Sequence, residues 1–335
     1  MSIPADGASG AAVPLGFPVS FELFPPRTDA AAIALGRTID RLAEFDPAFI
    51  SVTFGAGGSS RDRSLTVLRY ILEHTTVEPM AHLTCVGSTH AEANRLVREF
   101  LDAGVTSFLA LRGDPPKDGD GALGDLGSAA ELVQLIHRVQ EEREPFTLQP
   151  VPGAAAGRIR RRPRPERVAV AAFPTGHPRS RDVARDVDAL LAKQVAGANL
   201  AITQIFFRAP DYLAFVDRAR AAGVTIPILP GIMPITTPER LHRVGEMTGE
   251  EPPSSLAIDL EIEPTEEGRT AAGVAFASAL SSAVLDGGAP GLHLYTFNRY
   301  QEVRSVLETV ARTRPHALPL PDTTPPEKTP TKDPR

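Results

Sequence analysis

The sequence predicts an α/β chain folded as a single-domain (β/α)8 TIM barrel, and three observations carry that expectation. Eight short apolar runs recur along the chain. Amphipathic stretches with apolar residues three and four apart lie between them. A length of 335 residues accommodates eight such βα units in one closed barrel, and no second domain interrupts the alternation.

Residues 1–15 are mostly Gly, Ala, Ser and Pro with little to bury, and are expected to form a flexible arm ahead of a barrel spanning 16–313. The strand-length runs are Pro18 to Leu23, Phe49 to Phe54, Met80 to Cys85, Val105 to Leu111, Val168 to Phe173, Leu200 to Phe206, Ile226 to Ile232 and Leu292 to Thr296. The helical patterns include Asp29 to Phe45, Arg61 to His74, Ala91 to Ala103, Ala129 to Val139, Arg181 to Ala196 and Tyr212 to Ala222. Two segments break the alternation. Residues 145–167 carry Arg158, Arg160, Arg161, Arg162, Arg164 and Arg167 among prolines and small residues, which reads as an inserted, solvated surface loop. Its alternative is a patch for an anion or RNA, weakened because no aromatic residue interleaves with the arginines. Residues 314–335 are proline-rich and are expected to be a disordered tail.

A net charge of -6 with 42% hydrophobic and 23% charged residues suits a soluble protein with no general attraction to nucleic acid or anionic membranes. Cys85 is the single cysteine, so an intramolecular disulfide is excluded, and its apolar surroundings predict a core residue. The first fifteen residues have no basic start and apolar stretch of the signal-peptide kind, and no apolar run reaches the roughly 20 residues of a membrane span. The expected location is the cytoplasm.

In a barrel, chemistry gathers where strands end. Those positions hold Glu22, Thr53, His82, Asp114, Gln204 and Tyr295, with His177 just beyond the fifth strand. The run through Leu111 stops abruptly in Arg112-Gly113-Asp114, where glycine permits close backbone approach to a ligand. Glu22, between Phe21 and Leu23, suits a general acid; its bland alternative is an ion pair with Arg27 or Arg299. His82 has no second His or Cys at ligand spacing, so a hydrogen-bonding role is expected and no metal site. Gln204 offers a donor and an acceptor to the edge of a heterocycle, or is a satisfied core amide. Gly119 to Gly124 match the dinucleotide pattern GxGxxG, but they do not leave a strand, so the match is discarded. Gly55 to Ser60, between the second strand and its helix, is better placed to touch a ligand through its backbone.

Taken together, these residues resemble the methylenetetrahydrofolate reductase family, in its bacterial single-barrel form, from Val19 to about Thr313. The motifs are Ser20-Phe21-Glu22-Leu23-Phe24-Pro25-Pro26-Arg27, Ser51 to Ala56, Ala81 to Cys85, Ala110 to Asp114, Ala171 to Pro174 with His177-Pro178, Gly197 to Asn199 with Ile202 to Gln204, Pro230 to Pro234, and Tyr295-Thr296 with Asn298-Arg299. Each is short, but eight in one order at strand ends are specific.

The resemblance implies a barrel that binds FAD without a Rossmann domain and reduces 5,10-methylenetetrahydrofolate to 5-methyltetrahydrofolate. NADH or NADPH would be the electron donor, in a ping-pong reaction of one-carbon metabolism. It places Thr53, His82, Leu111, Arg112, Gly113, Asp114, His177, Asp186, Lys193 and Ala198 at flavin contacts. Glu22 and Asp114 are the catalytic residues it implies. Gln204, Tyr295 and Arg299 join them against the substrate, and the protein is expected as a homo-oligomer. The sequence departs from the family at Phe54 and Phe173, where some relatives have tyrosine, at Ser128, which replaces another flavin-side tyrosine, and at Pro238, where some members carry a substrate-stacking phenylalanine. Two other readings stand beside this one: a flavin-free oxidoreductase that passes hydride directly to the folate, and a non-catalytic barrel holding an anion or RNA.

Overall fold

The computed structural model describes residues 14–53, 58–113, 124–142, 166–178 and 180–314, with the side chains of 58–61 left out. Asp114, Phe54, Gly55 to Gly57, the arginines from 158 to 164 and nearly all of the expected arm and tail lie outside the described residues.

Strands and helices alternate from the start of the barrel: β1 Val19–Leu23, α1 Asp29–Ala43, β2 Phe49–Val52, α2 Gly58–His74, β3 Pro79–Thr84, α3 His90–Asp102, β4 Ser107–Leu111, α4 Ala129–Glu141, β5 Val168–Ala172, α5 Val183–Val195, β6 Leu200–Thr203 and α6 Ala209–Ala221. The chain continues through β7 Ile228–Leu229, β8 Gly231–Ile232, α7 Pro238–Thr248, α8 Ser254–Ile262, α9 Glu266–Asp286, β9 Leu292–Tyr295 and α10 Tyr300–Thr313. Helix starts follow local chemistry. Thr28 caps α1 by accepting from Ala31 N, and Thr89 and Glu92 form a reciprocal capping box on α3.

All neighbouring strands pair in parallel, in the order β7-β6-β5-β4-β3-β2-β1-β9-β8. The expected run from Ile226 to Ile232 is divided at Pro230, which has no N–H to give to a ladder. Before it, β7 pairs with β6; after it, β8 pairs with β9. One extended segment therefore meets both ends of the sheet order and closes the barrel. The fourth run also starts later than its apolar residues suggest, because Val105 N donates to Phe100 O and finishes the turn after α3.

Alternation sends one set of side chains into the barrel and the other against the helices. Phe49, Met80, Leu109, Ala169, Leu200, Ile202 and Leu229 fill the interior, and a larger cluster including Phe21, Phe100, Phe108 and Phe215 packs between strands and helices. Cys85 is buried, as expected. Arg167 corrects the sequence reading, which put it in a solvated loop. Its guanidinium pairs with the buried Glu78 carboxylate and sits 5.9 Å over the Phe49 ring, while Ser107 Oγ donates to Glu78 and accepts from Arg167 N at 3.0 Å. Arg167 thus plugs the barrel floor, at the opposite end from the strand C-termini.

Candidate active site

Glu22 leaves the C-terminal half of β1 into the barrel and is 7% exposed. Two imidazoles bracket it. His82 from β3 brings Nε2 to 3.5 Å from Glu22 Oε2, and His293 from β9 brings its own Nε2 to 3.7 Å from the same oxygen. Neither Nε2 has a hydrogen-bond partner among the described residues. The ion-pair alternative for Glu22 fails at Arg299, whose Nε binds Glu302 at 2.7 Å and whose Nη2 lies 3.6 Å from Glu266. Arg27 is exposed.

The far side of His293 is fixed by β1 itself, because Nδ1 lies 2.8 Å from Ser20 Oγ. Ser20 and Glu22 are two residues apart and face the same way, so one strand holds both ends of the line Ser20, His293, Glu22. Its tautomer sets the direction of proton traffic: with the hydrogen on Nδ1, Nε2 accepts from a protonated Glu22; with it on Nε2, the ring donates to a carboxylate. Burial lowers the pKa of His82, the Glu22 charge opposes that, and His293 adds to the lowering. His82 is therefore a neutral neighbour of the carboxyl. Ser51 Oγ, on the strand position paired with Glu22, is also buried without a hydrogen-bond partner among the described residues. Three unsatisfied polar atoms around one carboxyl make this layer a place for a polar ligand.

Tyr295 completes the layer, its OH donating to Thr203 O at 2.8 Å; burial, aided by the Glu22 charge, pushes its pKa well above the ordinary value. The ring passes so close to β8 that a Cβ at Gly231 would stand 2.7 Å from Tyr295 Cε2 and 2.3 Å from Thr203 O, which leaves room for glycine alone. Gln204 closes β6, where its Oε1 accepts from Ile205 N at 2.9 Å.

Of the expected flavin residues, Thr53, His82, Leu111, Arg112, Gly113 and His177 fall on or just after β2 to β5, whereas Asp186 and Lys193 stand on α5 and Ala198 lies between α5 and the start of β6, toward the opposite end of the barrel. Thr53 follows β2 and its N donates to Leu23 O. The β3–β4 ladder runs on past the strands, with Cys85 N donating to Leu111 O and Val86 N to Arg112 O. Gly113 then turns at φ +84°, with Thr84 and Val86 crowding its position. Asp186 Oδ2 accepts from His177 N at 2.6 Å, tying α5 to the loop after β5, and the His177 ring meets Phe173 edge-on at 4.6 Å. Lys193 Nζ donates to Ala171 O at 2.8 Å, and Ala198 N donates to Lys193 O. Burial pushes the Lys193 ammonium down to about 8, with Asp186 pulling it back up. A half-buried ammonium opposed only by Asp186 suits an anionic group such as a cofactor phosphate. Ser128 has a local duty as well, capping α4 by accepting from Glu131 N, and Pro238 is the first residue of α7.

Sequence reading missed His293, Ser20 and Ser51. Each lies two residues before a position it did select, Tyr295, Glu22 and Thr53, so the two-residue period of a strand was the available signal. Among the described residues no group of His, Cys, Asp and Glu has the arrangement of a metal site, and no helix is long and apolar enough to cross a membrane.

Comparison with known proteins gives a consistent picture. A family model described as methylenetetrahydrofolate reductase matches residues 15–153 and 158–311. The chain is 34% identical over 294 residues to the 5,10-methylenetetrahydrofolate reductase of Salmonella typhimurium, covering 87% of this chain and 90% of that one. It is 32% identical to that of Escherichia coli over the same length. With methylenetetrahydrofolate reductase (NADH) 1 of Arabidopsis thaliana it shares 31% identity but spans only 46% of that protein. In fold it is similar to a Clostridium thermocellum protein described as binding two copies of 5-methyl-5,6,7,8-tetrahydrofolic acid, with a TM-score of 0.57 at 14% identity, over 89% of this chain and 95% of that one.

Proposed function

The chain belongs to the methylenetetrahydrofolate reductase family, and from that premise we propose that it reduces 5,10-methylenetetrahydrofolate to 5-methyltetrahydrofolate with FAD as resident cofactor and NADH or NADPH as donor, in two half-reactions at one site. The observation that carries the reading is the buried Glu22 carboxyl held between the His82 and His293 imidazoles. The five-membered ring of the substrate opens to a hydride-accepting iminium only when its departing nitrogen receives a proton, which requires a positioned acid. Glu22 is that acid. His293, braced by Ser20, and neutral His82 orient the carboxyl from its two sides. Asp114 is assigned the negative charge beside the forming cation, and Gln204, Tyr295 and Arg299 orient the substrate.

FAD, when bound, supplies the hydride carrier. On that resemblance Lys193 would hold its pyrophosphate, Asp186 would fix the His177 loop, and Gly113 would let the backbone come close. Thr53, His82, Leu111 and Arg112 would line the rest of that seat, with Ala198 contributing from the far end of α5. The same reading makes the protein a cytoplasmic homo-oligomer, to which Ile258 and Ile262, exposed one turn apart on α8, offer an apolar face.

An anaerobic absorbance titration tests the proposal. The purified protein is expected to be yellow, to release FAD on denaturation, to bleach with NADH or NADPH and to recolour with methylenetetrahydrofolate. A colourless protein that cannot be reconstituted with FAD yet reduces the folate would favour direct hydride transfer instead.

A further inference from the structure

The hydrogen of the Ser20 hydroxyl decides which way the line Ser20, His293, Glu22 runs. Ser20 Oγ lies 2.8 Å from His293 Nδ1 and 3.3 Å from Leu292 O. A backbone carbonyl can only accept, so the second contact is a bond only when the hydroxyl points there. Oγ is then left as the acceptor for a hydrogen on Nδ1, and both contacts are made. With the hydroxyl turned to Nδ1 instead, the bond to Leu292 O is lost. Ser20 and His293 are fully buried, so no solvent replaces it.

A hydrogen on Nδ1 leaves His293 Nε2 bare, and that nitrogen faces Glu22 Oε2 at 3.7 Å. It can only accept, and a carboxyl has a hydrogen to offer it only when protonated. His82 Nε2 stands 3.5 Å from the same oxygen, on a ring that burial keeps neutral. With the His82 hydrogen on Nε2, the layer reads in one direction: His82 toward Oε2, the Glu22 hydroxyl toward His293, Nδ1 toward Ser20, and Ser20 toward Leu292 O. Each group in such a chain gives one hydrogen and accepts one, so its members polarise one another. The reverse direction buries an ionised carboxylate whose ion-pair partners among the described residues are these two imidazoles alone. The titratable groups packed against Glu22 are His82 on β3 and His293 and Tyr295 on β9, and Tyr295 gives its own hydrogen to Thr203 O.

We propose that Ser20 is a positioning residue for the acid: accepting from Nδ1 and donating to Leu292 O, it locks His293 in the tautomer whose bare Nε2 holds Glu22 in the protonated form. The inference rests on the reading of Glu22 as general acid and says what keeps its proton in place before substrate arrives. The parallel register of two strands builds the lock, since Ser20 pairs with His293 and Glu22 with Tyr295. A neutral acceptor holds the proton without removing it, and the carboxyl is free to turn its O–H from Nε2 to the substrate nitrogen. Ser20 touches neither substrate nor cofactor in this account and acts through the ring alone.

The test follows the proton directly in the flavin-bound protein. Infrared spectra near neutral pH should contain the carbonyl stretch of a protonated carboxyl that disappears in Glu22→Gln. Titrating that band in Ser20→Ala should move its midpoint down by about one pH unit, as the loss of one hydrogen bond provides. At the wild-type midpoint the band then stands at about a tenth of its full height instead of about half. Stopped-flow recolouring of the reduced flavin by methylenetetrahydrofolate should shift with it: the Ser20→Ala rate falls roughly tenfold on the alkaline side and is kept on the acid side. Ser20→Thr retains the hydroxyl and should restore the wild-type midpoint. A hydroxyl that only packs β1 against β9 would lower the rate at every pH with the midpoint and the band unmoved, and that result overturns the lock. A wild-type protein without the Glu22 band near neutral pH overturns it too. The acid reading is judged separately, and falls if Glu22→Gln recolours at the wild-type rate.

Discussion

Replacing Lys193 with methionine should stabilise the flavin-free protein near neutral pH while weakening its hold on FAD. The Lys193 ammonium falls from its ordinary 10.5 to about 8 because it is buried, with only Asp186 opposing. A depression of that size corresponds to about 3 kcal/mol of penalty on the charged form. Since the folded pKa lies below the unfolded one, the penalty is fully present below about pH 8. Between about 8 and 10.5 the unfolded chain binds a proton that the folded chain does not, so stability rises with pH through that window. Methionine removes the penalty but also the bond from Nζ to Ala171 O, worth about 1 kcal/mol. The net expectation is a variant about 2 kcal/mol more stable near pH 7, with the advantage shrinking from pH 8 upward and reversed by about 1 kcal/mol above 10.5. Urea unfolding of both proteins across that range measures the difference, and an equilibrium titration with FAD should show affinity reduced by roughly tenfold or more. A Lys193→Met protein that is less stable near pH 7, by an amount independent of pH, would refute the claim that this lysine is kept for an anion at the expense of stability.

Two further predictions concern the opposite end of the barrel and its insertion. Arg167→Ala removes one partner of a pair whose carboxylate side chain is 7% exposed and whose guanidinium side chain is 29% exposed; with that partial solvation the loss should be about 2–3 kcal/mol in urea unfolding. Adding Glu78→Gln should recover more than half of it, and an Arg167→Ala protein within about 0.5 kcal/mol of wild type would show that the floor is not held by this pair. Excising residues 147–165 with a short Gly/Ser join should leave turnover within about twofold, because closure entropy changes slowly with loop length. Lost activity with flavin still bound would bring that segment into the site.

The barrel was readable because parallel strands buried on both faces are continuous apolar runs, and the helices α1 to α6 carry apolar stripes at three and four spacing. The chain after β8 was less legible. In α9, an Ala- and Ser-rich helix, Gly273, Ala277, Ser278 and Ser281 are buried alongside Leu280, Val284 and Leu285, so small residues blur the stripe. The division at Pro230 needed the sheet order to be seen, since the flanking residues are equally apolar. Arg167 was assigned to its neighbours' loop because composition averages over position, whereas its partner Glu78 is 89 residues away in sequence. In the site, Glu22, His82 and Tyr295 were found as polar residues at strand ends, and the structure brings them into one layer. His293 sits one step deeper inside an apolar strand, where only the alternation of β9 reveals it.

Glu22→Gln separates the two half-reactions and tests the central claim most directly. Glutamine keeps the size and some hydrogen bonding of Glu22 but has no transferable proton. Stopped-flow absorbance would follow flavin bleaching by NADH or NADPH and then recolouring by methylenetetrahydrofolate. Bleaching should persist within about tenfold of the wild-type rate, since that step needs no proton from Glu22. Recolouring should fall by roughly 10⁴ or more, the upper part of what a general acid contributes, because the unopened ring presents no hydride acceptor. Recolouring of Glu22→Gln at the wild-type rate would contradict the account, leaving the carboxyl between His82 and His293 as a structural group and the acid elsewhere.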